Sequence, residues 1–263
     1  MKRIVLLLAL LVVVGCAMAP AGTDVSPAAR VELAPTGTLR VGLIAVNPLF
    51  VTQNTPPGIT KGIAVDIANR LASRLGVPMT PVLYPSIGAL MESTRKGEWD
   101  ITFLPVNPER AALMNFTAPY MYTESTFLVS ADSTAKGIAD LDRPGKTIVA
   151  VGRSTQDVWL RANMRVATLV AASTPAAALQ MLKEGKVDAY GSNASALAEA
   201  SLKIPGSRLL PGSFDDVPIA LAVIKARPAA DAFAYEFIDQ LKASGAIQEV
   251  IEREKLAGVR VAK

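Results

Sequence analysis

The stretch Trp99-Asp100-Ile101-Thr102-Phe103-Leu104-Pro105-Val106-Asn107-Pro108-Glu109-Arg110 holds one complete unit of an α/β fold. An acid leads into a short apolar strand, proline breaks the loop that follows, and a helix start carries one arginine. A strand that empties into such a loop is where open α/β sheets bind ligands. A guanidinium placed there offers a flat fork of donors matched to a carboxylate. Arg110 is therefore the first candidate ligand-binding residue, with Asn107 beside it in the same loop.

Upstream, Thr38 to Ile44 reads as a strand. Gly62 to Leu75 reads as a helix, because Ile63, Ile67, Leu71 and Leu75 recur every four residues and Gly76 stops the run. Pro81 to Tyr84 is a short strand, Ile87 to Lys96 a second helix and Trp99 to Val106 a strand. The order β-α-β-α-β implies a mostly parallel sheet covered by helices. Downstream, Thr126 to Val129 is extended, and the pattern then restarts. Strands are predicted over Thr147–Val151, Val166–Val170 and Val187–Tyr190, with helices over Ser154–Met164, Ala176–Glu184 and Ala194–Lys203. A further extended stretch, Val217 to Ile224, precedes helices over Pro228–Ser244 and Ile247–Glu254. These last helices lack a strand of their own, so they are expected to return to the first lobe. Two crossing strands then join two βαβ lobes, with lobe 1 at 38–122 and 217–263 and lobe 2 at 123–216.

Composition narrows the function. The chain has 263 residues, 51% of them hydrophobic, enough for two lobes of ordinary size. Its net charge of +4 owes two charges to Lys2 and Arg3 and is otherwise dispersed, which argues against a nucleic-acid partner. There is no His and Cys16 is the lone Cys, so a His-based triad, His-ligated zinc, haem and an internal disulfide are excluded. No Asp/Glu spacing suggests a carboxylate metal site, and no cofactor is expected.

The N-terminus explains the single Cys. Met1-Lys2-Arg3 precedes an unbroken apolar run from Ile4 to Val14, too short to span a bilayer and suited to a signal-peptide core over 1–15. Val13-Val14-Gly15-Cys16 resembles a bacterial lipobox, which makes Cys16 the expected lipidation site. The alternative is an ordinary export signal cut after Ala21, since Ala19-Pro20-Ala21 fits the small-x-small rule. Either reading places the protein in the periplasm or at the cell surface. Residues 16–37, rich in Pro, Ala and small polar residues, read as a tether to the folded body.

Three segments resemble the family 3 extracellular solute-binding proteins, the receptor subunits of bacterial amino-acid importers, over about Leu39 to Glu254. They are Gly62-Ile63-Ala64-Val65-Asp66-Ile67-Ala68, then Pro108-Glu109-Arg110 with Asn115-Phe116-Thr117-Ala118-Pro119-Tyr120, and Lys183-Glu184-Gly185-Lys186-Val187-Asp188-Ala189. The resemblance implies a periplasmic binding protein type 2 fold: a clamp that closes on a small solute and presents it to an ABC permease in the inner membrane. It implies that Arg110 holds the ligand's carboxylate and that Ser154 and Thr155, at a helix start, add donors from the other lobe. A helix N-terminus with free N–H groups is an anion site on physical grounds as well.

On the amine side the sequence departs from the family. The positions of its usual acids are held by Ile44 and Asn193, and those of its aromatic walls by Asn47 and Ile63. Asn193, Asn47 and Phe50 complete the candidate ligand-binding set. An ammonium buried without a paired charge is costly, so either the ligand lacks one or another group, such as Glu124, neutralises it. The chain reads as a binding protein, not an enzyme, for a small carboxylate-bearing solute that is possibly an amino acid. The alternatives are a cyclohexadienyl or arogenate dehydratase-like enzyme on the same fold and a sensing lipoprotein without a transport role.

Overall fold

The computed structural model describes residues 25–45, 47, 49–51, 53–55 and 59–263, excepting the side chains of 53–55, 59 and 60. The expected signal segment and Cys16 lie outside the described residues.

The first unit is built on β1 (Leu39–Ile44), which is buried along nearly its whole length and reads as a continuous apolar run. A hairpin of β2 (Gln53–Thr55) and β3 (Ile59–Lys61) precedes α2 (Ile63–Leu75). That helix buries Ile63, Ile67, Leu71 and Leu75 and stops at Gly76, whose φ of 65° is the left-handed cap that glycine adopts freely. Next come β4 (Met79–Tyr84), α3 (Ile87–Ser93) with a tight turn over Thr94–Lys96, and β5 (Ile101–Pro105). Both β4 and β5 run parallel to β1, on opposite sides. Gly42 of β1 lies under α3 and the Trp99 ring. A Cβ there would sit 3.0 Å from Leu90 Cδ1 and from Trp99 Cγ, so only glycine allows that close packing.

The chain continues through α4 (Pro108–Ala111) and β6 (Met114–Phe116) into β7 (Met121–Val129). The second unit is β8 (Thr147–Val151), α5 (Thr155–Asn163), β9 (Thr168–Ala172), α6 (Pro175–Lys183), β10 (Ala189–Asn193), α7 (Ala194–Ser201) and β11 (Arg208–Leu209). Its parallel strands β10, β8 and β9 carry one apolar cluster on each face, around Phe127, Ile148 and Leu160 and around Leu128, Leu182 and Leu197. Then β12 (Asp215–Ile224) returns antiparallel to β7, with Val217 opposite Thr123 and Ile219 opposite Met121. It also pairs with β5, so one sheet of order β4-β1-β5-β12-β7-β10-β8-β9 runs through both units. The final elements, α8 (Pro228–Ala243), α9 (Ala246–Arg253) and β13 (Val259–Val261), end the chain. Phe237, Ile238, Ile247 and Val250 join the core of the first unit.

The expected tether differs from its sequence reading. Part of the expected tether is helix α1 (Pro27–Leu33), capped where Ser26 Oγ accepts the Ala29 N–H at 3.1 Å. Ala29 and Leu33 are buried in the first core. Arg227 Nη1 donates to the Glu32 carbonyl at 2.9 Å, and the Ala230 N–H donates to Glu32 Oε2. A helix of seven residues shows too few turns for a period to be visible, and its stability comes from packing.

The turn that opens the second unit carries a pH dependence. The N–H groups of Ala167, Val166 and Arg165 all bond Asp142 and hold its carboxyl below the usual carboxylate range. A depressed folded pKa contributes stability that is present above the unfolded value, about 3.9, and lost as pH falls through the folded value. Acid titration of unfolding should therefore show stability falling below about pH 4. Asp142→Asn should flatten that limb by lowering the neutral plateau, since the charge-assisted part of these bonds is then missing at every pH.

Candidate functional site

A cavity of about 680 Å³ separates the two units, in the size range of small-molecule sites. The ends of β1, β5, β8 and β10 reach its wall at Ile44, Pro105, Val151 and Asn193, and the loops after β4 and β9 reach it at Ser86 and Ser173. This is the carboxyl edge of the parallel strands, where helix N-termini point inward and backbone N–H groups lack intrahelical partners.

Arg110 projects into this cavity from α4. Asn107 Oδ1 caps the helix by accepting the Arg110 N–H at 2.8 Å, and Pro108 supplies the preset first-turn φ. Arg110 is 7% exposed as a residue, and its Nη1 donates to the Pro105 carbonyl at 2.7 Å. Among the described residues no carboxylate lies within ion-pair distance of it. Burial lowers its pKa, opposed by the Glu109 charge. It remains a cation, because arginine does not lose its proton in proteins. A buried cation facing a cavity without a counter-ion is suited to holding an anion.

Ser154 caps α5 by accepting the Asp157 N–H at 3.1 Å, which leaves first-turn N–H groups at Thr155 and Gln156 toward the cavity wall that all three residues line. Gln156 Nε2 donates to Ser125 Oγ at 2.9 Å and ties this helix start to β7. Arg153, just before the α5 cap, has φ 63°, the left-handed region that favours glycine. Asn193 lines the cavity while its Oδ1 accepts the Ala196 N–H at 2.9 Å, and Asn47 lines it while its Oδ1 accepts the Leu49 N–H at 3.1 Å. Phe50 belongs to the first core, 2% exposed, and also contributes to the wall.

Six of the seven residues singled out for ligand binding, Arg110, Ser154, Thr155, Asn193, Asn47 and Phe50, meet at this one cavity. Asn107 does not line it and acts through the cap on Arg110. Glu124 does not line it either: it stands beside Gly258, where a Cβ would lie 3.3 Å from its Oε2.

Sequence reasoning passed over Thr123, Gln156, Tyr190, Glu199 and Lys203, all on the wall. The Thr123 hydroxyl is buried with no hydrogen-bond partner among the described residues. Its signal was available, since Thr123 is a polar residue at an inward position of an alternating strand. Glu199 and Lys203 are exposed, one turn apart along α7 and its C-terminal end.

The model of the bacterial extracellular solute-binding proteins, family 3, matches residues 39–254. The chain belongs to this family. The two-lobed type 2 periplasmic binding fold implied by the three motifs is the fold observed. Among curated proteins, this solute-binding protein is similar to the cyclohexadienyl dehydratase of Pseudomonas aeruginosa, 28% identical over 159 residues. That match spans 58% of this chain and 58% of the enzyme's length. Among solved structures, a P235GK mutant of ArgBP from T. maritima is 26% identical with TM-score 0.72, covering 86% of this chain and 99% of that one. A binding component of an ABC transporter from Wolinella succinogenes, complexed with lysine, is also 26% identical with TM-score 0.72, covering 83% and 95%. Family membership supports a substrate-binding role. Among the described residues no helix is long and apolar enough to cross a membrane.

Proposed function

We propose that this protein receives a small carboxylate-bearing solute between its lobes and presents it to an inner-membrane ABC permease. The observation that carries the reading is Arg110, a buried guanidinium aimed into the cavity without a carboxylate partner among the described residues. The fork of Arg110 grips the carboxylate from lobe 1, while Ser154 and the N–H groups of Thr155 and Gln156 grip it from lobe 2. The unpartnered Thr123 hydroxyl, on a crossing strand, adds a donor between them. A ligand bonded to both lobes stabilises the closed form, with β7 and β12 as the hinge. In this reading 1–15 is the export signal, Cys16 carries a lipid anchor, and the lobes divide at 122/123 and 216/217.

Calorimetric titration of a metabolite panel should find a ligand of micromolar affinity, and Arg110→Ala should weaken it by about 2–4 kcal/mol. Unchanged affinity in that variant would remove the carboxylate grip.

A second reading is supported by the similarity to cyclohexadienyl dehydratase. A dehydratase needs a general acid facing the cleft, and Glu199 is the one carboxylate among the described residues of the wall. Incubation with prephenate or arogenate separates the readings: aromatic product, lost in Glu199→Gln, would replace the binding role with an enzymatic one.

A further inference from the structure

We infer that the solute of this cavity is a carboxylic acid without an ammonium group: an apolar body carrying a carboxylate, with a 2-oxo, a 2-hydroxy or no second substituent. The inference rests on the reading of Arg110 as the carboxylate grip. Once Arg110 is neutralised by the ligand's carboxylate, an ammonium on the neighbouring carbon would be a second buried cation, and it would need an anion close to Arg110.

Among the described residues, no carboxylate stands at the end of the cavity formed by the strand ends and helix starts beside Arg110. No Asp or Glu occurs between Glu32 and Asp66, so the whole loop from β1 to α2 contributes only neutral groups and Lys61. Glu109 is exposed and off the wall. On β7, Thr123 faces the cavity and Glu124, the next residue, faces Gly258. On β12, Asp215 shares a strand face with Val217 and Ile219 but is not part of the wall. In lobe 2, Asp157 is bonded by the Arg153 N–H and by Arg161, and Asp188 by Lys146 and the Thr147 N–H. Glu199 lies six residues beyond Asn193, about 9 Å along α7. It is solvent-exposed, with the cation Lys203 one turn further.

The remaining groups near Arg110 also disfavour a cation. The starts of α5 and α7, at Ser154 and Asn193, present the positive ends of helix dipoles to the cavity. Asn47 and Asn193 offer amides whose oxygens are already engaged by backbone N–H groups. The wall also carries the apolar side chains of Ile44, Leu49, Phe50, Ile87, Leu179 and Ile219, interspersed with neutral hydroxyls at Ser86, Thr123, Ser173 and Tyr190. Such a surface suits a hydrocarbon or aromatic body.

The test is calorimetry of the full chain against matched sets. Phenylpyruvate, phenyllactate and 3-phenylpropanoate are compared with phenylalanine, and 2-oxoisocaproate and 2-hydroxyisocaproate with leucine. The tightest member of the panel should lack the ammonium and bind at least tenfold more tightly than its amino acid. Asn193→Asp, which keeps a good cap and adds a carboxylate to the wall, should narrow or invert that ratio; an unchanged ratio would overturn the charge argument. An amino acid that binds as tightly as its oxo acid, with binding still lost in Arg110→Ala, would overturn the inference and leave the carboxylate grip standing. Loss of that amino-acid binding in Asp215→Asn would name the counter-ion. If no member of the panel binds, or if Arg110→Ala binds as well as wild type, the carboxylate grip falls and the inference with it.

Discussion

Arg110→Met is expected to yield a protein that melts at higher temperature than wild type and no longer binds carboxylates. The wild-type guanidinium is buried, gains one hydrogen bond to the Pro105 carbonyl, and has no counter-ion among the described residues. Its desolvation is therefore poorly compensated until a ligand arrives. Methionine keeps an unbranched apolar body in the same space and removes the charge. Replacing buried ionic groups by apolar ones of similar volume is often stabilising, here by about 1–2 kcal/mol. At the size of this chain that is a rise of about 2–6 °C. Scanning calorimetry of the unliganded variants checks it. A melting point well below wild type in both Arg110→Met and Arg110→Ala would show that Arg110 serves the fold and not the ligand.

Asp100→Ala is expected to cost about 3–5 kcal/mol of folding stability, the loss typical of breaking a buried ion pair. Asp100 is fully buried. Its Oδ1 accepts from Arg40 Nη2 at 2.8 Å and from Arg227 Nη1 at 3.0 Å, and its Oδ2 from the Arg40 N–H at 3.1 Å and Nε at 3.0 Å. The bond to Asp100 is also the main cause that raises the Arg40 pKa. One carboxylate thus joins β1, the entrance to β5 and the start of α8, and through Arg227 it reaches α1. Removing it leaves two guanidinium groups without their shared partner. Urea denaturation measures the loss, with Asp216→Ala as the control, since the exposed Asp216–Arg260 pair should cost under about 1 kcal/mol. A loss below that level for Asp100→Ala would refute the account of this junction.

The elements that were legible in the sequence are those whose signal is local. Helix α2 announces itself by a four-residue period and a glycine stop, α5 by its Ser154 cap, and β8 by a continuous apolar run between turn residues. The elements that were missed are short and acquire their structure from distant partners. β6 exists because β12, far along the chain, pairs with it, β13 because β7 does, and α1 because α8 covers it.

The site divides in the same way. Arg110, Ser154 and Asn193 could be read because each belongs to a helix start whose cap and motif lie within a few residues. Gln156 could not, because its place on the wall depends on the bond from α5 to Ser125. The sequence by itself determined the two-lobed α/β architecture, the family and Arg110 as the candidate for a carboxylate grip, since periodicity, caps and motifs are local properties of the chain. Only the tertiary structure decided that Arg110 is buried without a counter-ion among the described residues and that Glu124 faces Gly258 and not the cavity. Charge pairing depends on distance through space, and strand pairing over long separations sets those distances.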